Sequence, residues 1–161
     1  MTEVNVVKEE GLQKSILSKF AYMEGKVTIK RPRRIFAEVE LSNFRNIFDY
    51  ITKDLNFNIM CMITGLDEGE NLSFIYHLAH FNGIMIDLKT YAPKNNPVIK
   101  TVTDTFPGSD LYERELVDLL GAKIDGLPNG TRYPLPDGWP EGQYPLRKDW
   151  NREMLDKKKE N

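Results

Sequence analysis

The sequence has 161 residues, of which 40% are hydrophobic, and this is enough for one domain with a packed core. Its 22 basic and 24 acidic residues give a net charge of −2, so the chain as a whole has no electrostatic footprint for nucleic acid. No stretch approaches the roughly 18 apolar residues that a membrane-spanning helix needs, and the N-terminus, MTEVNVVKEE, lacks the apolar core of a signal peptide. We therefore expect a soluble cytoplasmic protein.

The first part of the chain predicts two helices and two strands. Apolar residues recur at helical spacing over residues 9–24. Strands are predicted over 26–30 and 35–41, and the four residues between them, RPRR, form a turn. Ser42 suits the N-cap of a second helix, whose apolar residues share one face.

Three further strands are predicted over residues 57–65, 71–80 and 84–92. The resulting order, α-β-β-α-β-β-β, favours a two-layer α+β sandwich with helices on one face of a mixed or antiparallel sheet. The first of these strands contains the only cysteine, Cys61, within an apolar run, which predicts a buried structural cysteine. One thiol alone holds neither a structural zinc ion nor an iron–sulfur cluster.

After an irregular segment, a third helix is predicted to begin near Asp110 and to end at Gly121. Asp110 and Glu113 have the spacing of a capping box. Arg114 is four residues from both Asp110 and Asp118, so the arginine is expected to lie between two ionised acids on one helix face. Ionised carboxylates are unsuited to general-acid catalysis, and a polar docking face is favoured over a merely solvated one.

The composition changes after the third helix. Residues 121–150 contain five prolines and five glycines, which is typical of a segment without regular structure of its own. They also contain both tryptophans, which indicates a binding role rather than free disorder. We therefore divide the chain into an α+β domain, residues 1–120, and an extended partner-binding tail, residues 121–161. The tail is expected to become ordered only on its partner.

Other clusters predict no catalytic, metal or cofactor site. His77 and His80 lie three residues apart on a predicted strand, so their side chains point to opposite faces and cannot chelate one ion. The basic cluster at residues 30–34 can contact phosphate or an acidic partner, and a stand-alone nucleic-acid-binding module is the alternative from another functional class. No Walker loop, GxGxxG, GxSxG or HExxH motif occurs.

Two motifs connect the third helix with the tail. The first is TDTFPGSDLYEREL, residues 103–116, followed by Asp118 and Gly121, and the second is PLRKD, residues 145–149. Together they resemble the C subunit of NADH:quinone oxidoreductase (respiratory complex I) and the equivalent small subunit of energy-converting NiFe hydrogenases. The stretch GWPEGQYPLRKDW is more similar to the hydrogenase branch. Residues 126–132 depart from the complex I pattern, because its histidine and one of its paired arginines are missing.

The resemblance implies a cofactor-free assembly subunit without activity of its own, peripheral on the cytoplasmic side of the cell membrane. Its partners would be a large subunit of the NiFe or quinone-site type and an iron–sulfur subunit. These partners would carry the iron–sulfur clusters and, in a hydrogenase, the NiFe centre. An energy-converting hydrogenase is the favoured complex, and a quinone-reducing NADH or F420H2 dehydrogenase is the alternative. The motifs leave the electron donor and acceptor open.

The expected partner-binding residues lie on the third helix and in the tail, where tryptophan and arginine favour an interface. They are Asp110, Glu113, Arg114, Asp118, Arg132, Trp139, Tyr144, Pro145, Leu146, Arg147, Lys148, Asp149 and Trp150. Arg147 is expected to donate hydrogen bonds to an acidic or carbonyl-rich site of the large subunit, with Asp149 orienting it.

Overall fold

The computed structural model describes residues 8–156, and these fall into two compact units. Within the described residues, unit 1 comprises residues 8–62 together with Ile75–Thr90, and unit 2 comprises Ile63–Phe74 together with residues 91–156. Three long strands each contribute residues to both units, and the expected boundary at residue 120 stays a prediction. The assignment of a partner-binding role to the tail stays a prediction.

The elements begin in the predicted order and continue with short elements towards the C-terminus. They are α1 (Glu9–Lys19), β1 (Val27–Arg31), β2 (Arg34–Glu38), α2 (Leu41–Asp49), β3 (Ile59–Asp67), β4 (Asn71–Ala79), β5 (Met85–Pro93), β6 (Val98–Lys100), α3 (Asp110–Leu120), β7 (Lys123–Asp125) and α4 (Glu153–Asp156). A π-helical turn, Tyr50–Asp54, extends α2, and short 3-10 turns follow α1 and precede α3.

The five-stranded sheet is mixed, with the strand order β1-β2-β5-β4-β3. β1 and β2 form an antiparallel hairpin in which Val27 lies opposite Ala37. β2 and β5 run parallel, with Ile35 opposite Ile86, because the chain between them crosses over through α2, β3 and β4. A second, two-stranded sheet pairs β6 with β7 in parallel. The mixed sheet and the order α-β-β-α-β-β-β confirm the predicted α+β class.

In unit 1, α2 buries one apolar face against the sheet. The ring centroids of Phe44 in α2 and Tyr76 in β4 lie 4.6 Å apart, and both side chains are buried. Helical spacing of apolar residues therefore identified this face correctly. The predicted N-cap, Ser42, is wrong, because α2 already begins at Leu41 and no side-chain hydrogen bond caps it.

In unit 2, α3 packs closely onto β3 at a glycine. A Cβ atom at Gly65 would overlap the side chains of Leu116 and Leu120, so glycine permits this close approach. α3 ends at Gly121, whose φ of +71° is the left-handed conformation that closes many helices.

The prediction of a buried cysteine is wrong. Cys61 is exposed, as are Ile59, Met62 and Leu66 on the same strand. β3 lies at the edge of the sheet, where fewer neighbouring elements are available to cover its side chains. An apolar run therefore predicted a strand correctly but not the position of that strand in the sheet.

The two histidines have separate partners. His77 Nδ1 lies 2.7 Å from Asp87 Oδ1, whereas His80 Nδ1 accepts a hydrogen bond from the backbone N–H of Asn82 at 3.2 Å. Across residues 8–156, no group of three or more His, Cys, Asp or Glu side chains is placed to hold a metal ion. In that same part of the chain, no helix is both long and apolar enough to cross a membrane.

Candidate partner-binding site

All the expected partner-binding residues lie in unit 2, where α3 provides the base of the site. Asp110 and Arg114 pair as their spacing predicts, with Arg114 Nε 3.0 Å from Asp110 Oδ2. The second predicted pair does not form as expected, because Asp118 binds Arg132 of the tail at 2.8 Å. The acidic helix face is thus used to hold the chain that follows the helix.

Glu113 points into unit 2. Its side chain is fully buried, and it accepts hydrogen bonds from Thr101 Oγ1 at 2.6 Å and from the backbone N–H of Val102 at 2.7 Å. Burial raises the pKa of the Glu113 carboxyl above its ordinary value, although these two hydrogen bonds oppose the shift. The predicted capping box is wrong, because Glu113 binds the segment before the helix and leaves the N-cap without a side-chain bond.

The tail segment, residues 126–150, lies across α3. Arg114 donates to the carbonyl oxygen of Pro128 at 2.6 Å and to that of Thr131 at 3.3 Å. A Cβ atom at Gly130 would overlap the Arg114 guanidinium, so this glycine lets the backbone approach the arginine. One arginine on the helix therefore fixes the first part of the tail segment through its backbone.

Asp118 fixes the next part. One of its oxygens accepts from Arg132 Nε at 2.8 Å, and the other accepts from the backbone N–H of Leu135 at 3.1 Å. Arg132 also donates to the carbonyl oxygen of Trp139 at 2.7 Å. Asp118 is 6% exposed, so this ion pair is largely shielded from water.

The two tryptophans lie together in the tail segment. Their ring centroids are 6.0 Å apart. Trp139 Nε1 donates to the backbone carbonyl of Gln143 at 2.8 Å, and Trp150 Nε1 donates to the Gln143 side chain at 2.9 Å. Both indole N–H groups are therefore satisfied within the chain, as half-buried tryptophans require.

The second sequence motif closes the C-terminal end of α3. The carbonyl oxygen of Leu119 accepts from the backbone N–H of Leu146 at 3.0 Å, and that of Leu120 accepts from Arg147 Nε at 2.7 Å. These carbonyls lack partners within the helix, and a cation at a helix C-terminus is favoured by the helix dipole. Arg147 was expected to bind a carbonyl-rich site, and the carbonyl it binds belongs to its own chain.

Tyr144 packs where α3 ends. A Cβ atom at Gly121 would lie 2.5 Å from Tyr144 Cζ, which is impossible without movement. The Arg147 guanidinium lies 4.6 Å from the centroid of the same ring, a cation–π contact. Pro145 follows this ring and is half-buried.

Asp67, at the end of β3, connects the tail segment to the β3–β4 turn. Its carboxylate accepts from the backbone N–H of Lys148 at 2.9 Å and from that of Gly69 at 2.8 Å. Lys94 lies 2.7 Å from Asp67 and 2.9 Å from Asp149, so its ammonium bridges the two acids. Asp149 thus binds Lys94 rather than orienting Arg147.

These contacts set the ionisation of the bridge. Burial alone would raise the pKa of Asp67, but hydrogen bonds from Lys94 and from the two backbone N–H groups lower it to about 2. The hydrogen bond from Lys94 lowers the pKa of Asp149, and the two acids raise the pKa of Lys94. All three groups are therefore charged at neutral pH.

Sequence reasoning missed Asp67, Lys94 and Gln143. Asp67 is 81 positions from its partner Lys148, and no periodic pattern connects residues so far apart in the sequence. The run LDEGE indicated a turn but gave no reason to select its first acid.

The outer side of the tail segment is exposed to solvent. Leu146 is 55% and Tyr133 is 44% exposed, and the side chains of Lys148 and Asp149 are exposed. The backbone around these side chains is held by the bonds to α3 and Asp67, so the tail segment presents a shaped surface.

Comparison with known proteins identifies chains that are similar to this one. Residues 37–154 match the family described as respiratory-chain NADH dehydrogenase, 30 Kd subunit. The C subunit of the F420H2 dehydrogenase of Methanosarcina mazei is 30% identical over 139 residues, which cover 84% of this chain and 87% of that protein. The beta subunit of the membrane-bound hydrogenase of Pyrococcus furiosus is 40% identical over 87 residues, which cover 52% of this chain and 50% of that protein. The C subunit of the NADH-quinone oxidoreductase of Acidothermus cellulolyticus is 36% identical over 101 residues, 60% of this chain and 52% of that protein.

Two solved structures are similar. A chain in the structure of the membrane-bound sulfane sulfur reductase, an archaeal respiratory membrane complex, matches with a TM-score of 0.79 at 30% identity, over 93% of this chain and 89% of that chain. A trypsin-resistant fragment of Nqo5 matches with a TM-score of 0.63 at 23% identity, over 73% of this chain and 98% of that fragment, and shows the same fold. These matches confirm the family resemblance seen in the two sequence motifs. The chain belongs to the respiratory-chain NADH dehydrogenase 30 Kd subunit family.

Proposed function

We propose that this chain is a non-catalytic assembly subunit of a complex I-related, membrane-bound oxidoreductase, peripheral on the cytoplasmic side of the membrane. It binds the large subunit of that complex through the tail segment, and the iron–sulfur clusters and any NiFe centre belong to partner subunits. The named relatives support this role, since they are subunits of an F420H2 dehydrogenase, a membrane-bound hydrogenase and an NADH-quinone oxidoreductase.

The hydrogenase type is our favoured complex. The match to the hydrogenase beta subunit is the more identical, at 40% over 87 residues, and the tail sequence GWPEGQYPLRKDW resembles that branch. The match to the F420H2 dehydrogenase protein is the longer, at 139 residues, so a dehydrogenase is the alternative. Measuring hydrogen evolution and F420H2 oxidation by the purified native complex distinguishes the two.

One observation carries the docking role: residues 145–149 have a fixed backbone and an exposed outer side. Leu146 donates its N–H to Leu119 and is nevertheless 55% exposed. A surface that is ordered before binding avoids most of the entropy cost of ordering a loop on its partner. The tail was expected to order only on binding, and its internal contacts favour a surface formed in advance.

The test replaces an exposed anchor without disturbing the bonds that hold it. Leu146→Ser leaves the backbone N–H in place, so the free chain should melt at an unchanged temperature. Retention of the large subunit by the tagged chain should fall at least tenfold, the scale of an interface hot spot.

Leu111→Ser is the matched control. Leu111 has the same side chain and a similar exposure of 52%, and it lies on α3 outside the tail segment. Equal retention of the large subunit by the Leu146 and Leu111 variants would show that the tail segment is not the docking surface.

A further inference from the structure

Two turns of unit 1 lie side by side, the β1–β2 turn and the β4–β5 turn. The backbone N–H of Met85 donates to the carbonyl oxygen of Arg33 at 2.9 Å. A Cβ atom built on Gly83 would lie 3.4 Å from an Arg33 guanidinium nitrogen. A basic turn and a turn with an exposed phenylalanine therefore share one surface. We name it the turn patch and define it as Lys30, Arg31, Arg33 and Phe81.

Phe81 is 79% exposed at the tip of the β4–β5 turn. The turn keeps its shape without this ring, because Gly83 N–H donates to the carbonyl oxygen of His80 at 2.9 Å and Ile84 N–H donates to Asn82 Oδ1 at 3.1 Å. The ring thus adds little buried area to the fold, yet it stands on a rigid base. A preorganised aromatic side chain loses little conformational entropy on binding and is typical of an interface anchor.

Arg33 occupies a backbone conformation that suits glycine or asparagine better than arginine. Its φ is +60°, at the second position of a two-residue loop that begins with Pro32. Its N–H donates to Glu9 and its carbonyl accepts from Met85, and neither bond needs the arginine side chain. Glycine would adopt this backbone conformation without strain, but it would not carry the positive charge of arginine. A strained residue held by its surroundings is a reason to look for a function.

Positive charge predominates in this part of unit 1. Lys30, Arg31 and Arg33 are exposed, whereas Arg34 is paired with Asp87 at 2.9 Å. Glu9 contacts the turn, and its pKa is lowered by hydrogen bonds from backbone N–H groups, its own first and then that of Arg33. The exposed groups of the turn patch are therefore three cations and one aromatic ring, and the Lys30 ammonium lies 5.4 Å from the centroid of the Phe36 ring on β2.

We infer that the turn patch is a second docking site, which binds an acidic surface with an apolar pocket on a partner protein. The inference rests on the proposed function, in which this chain has partner subunits. Opposite charges on the two surfaces speed association and make it sensitive to salt, and the Phe81 ring filling a pocket supplies affinity. A lipid surface fits less well, since electrostatic membrane binding typically uses roughly four to eight clustered basic residues.

Cross-linking in the intact complex tests which molecule covers the turn patch. A photoreactive benzoylphenylalanine replaces Phe81 in the full chain, and the complex is purified from membranes and irradiated. We expect a cross-link to an acidic segment of another subunit. Adducts with lipid alone, with a second copy of this chain alone, or with nothing would overturn the inference.

Three variants separate docking from folding. Phe81→Ser should leave the melting temperature of the full chain unchanged, and Arg33→Gly should keep or raise it by relieving the left-handed strain. Both should lower retention of partner subunits at least tenfold at physiological salt. Arg33→Lys, which keeps the charge, should recover most of the retention.

Tyr22→Ser is the control, because Tyr22 is an exposed aromatic residue of unit 1 outside the turn patch, at 45% exposure. Wild-type retention by Phe81→Ser and Arg33→Gly would overturn the inference. If Leu146→Ser still lowered retention in that case, the proposed function would stand without a second site. A wild-type chain that retained no partner protein would instead contradict the proposed function and the inference together.

Discussion

At the scale of the residue, Asp67 joins three separate segments of unit 2. It receives hydrogen bonds from its own turn, from Lys94 and from the backbone of Lys148, and its side chain is 1% exposed. A buried carboxylate of this kind stabilises a fold only while its donors stay in place. The position of the C-terminal end of the tail segment thus depends on an acid that lies outside both sequence motifs.

Replacing Asp67 by Asn tests this dependence. The amide keeps the shape but loses the charge that Lys94 and the backbone N–H groups bind, so the free energy of unfolding should fall by about 2 kcal/mol. Urea denaturation measures this change, and hydrogen exchange at the Lys148 amide should become faster. Glu70→Gln, an exposed acid of the same turn, is the control and should change stability by less than about 0.5 kcal/mol.

The pH dependence of Asp67 has a definite sign. Its pKa is lowered from 3.8 to about 2 in the folded chain, so the unfolded chain takes up the proton first. The stabilisation is complete above about pH 4 and is lost as the pH falls towards 2. The stability difference between wild type and Asp67→Asn should narrow over that window, and a constant difference would contradict the assignment.

Glu113 is expected to show the opposite sign. Because burial raises the pKa of Glu113, ionising this side chain destabilises the folded state. The free energy of unfolding therefore falls as the pH rises through the raised pKa. Glu113→Gln can still accept from Val102 N–H and donate to Thr101, so it should be at least as stable as wild type at pH 7. Glu113→Ala leaves the buried Val102 N–H unpaired and should lose about 2 kcal/mol, measured by thermal unfolding.

At the scale of the element, α3 is completed by residues far from it in sequence. Its last carbonyls are bound by Leu146 and Arg147, and Tyr144 packs against Gly121, the residue that closes the helix. The stability of α3 and the stability of the tail segment are therefore coupled. A change at the end of α3 should be transmitted to the proposed docking surface.

Gly121→Ala is the corresponding test. Alanine at a φ of +71° is strained by about 1 kcal/mol, and its Cβ would also displace the Tyr144 ring. We expect a loss of about 2 kcal/mol or more in unfolding free energy and faster exchange at the Leu146 amide. Gly142→Ala is the matched control, because Gly142 has a φ of +74° with no atom near a Cβ, and it should show the strain alone.

The helices and strands also show which structural features the sequence patterns predicted and which they did not. Periodicity predicted three helices and the five strands of the main sheet, since period 2 and period 3.6 are local properties of the chain. It did not reveal that β3 lies at the sheet edge, which exposes Cys61, nor that Glu113 turns inward. Both depend on which elements become neighbours, and that is decided by contacts between distant residues.

The composition of the tail segment led to two predictions, one about its backbone and one about its mobility. Its proline and glycine content correctly indicated an irregular backbone, because ladder hydrogen bonds need regular dihedral angles. It also suggested mobility in the free chain, and this stays a prediction. Arg114, Asp118 and Asp67 bind the irregular backbone through their side chains, and those partners cannot be recognised from the composition of the tail segment itself.

At the scale of the whole molecule, the question is whether the proposed docking surface is ordered in the free chain. We expect the amides of Leu135, Leu146 and Lys148 to be protected from hydrogen exchange in the free full chain, since each donates to an acceptor within unit 2. The same amides should stay protected in the complex. Rapid exchange of all three in the free chain would instead restore a tail that orders on its partner.

The Asp67–Lys94 pair has a consequence for the order of events during synthesis. A ribosome delivers the chain from its N-terminus, so both partners of this ion pair leave the exit tunnel well before residues 148 and 149 are made. The pair can form on the nascent chain through Asp67 Oδ2, with the second acceptor site of that oxygen and part of the Lys94 ammonium still hydrated. The incoming Lys148 N–H and Asp149 carboxylate then displace that water. The Asp67–Lys94 pair, which binds the tail segment, can thus form before that segment is synthesised.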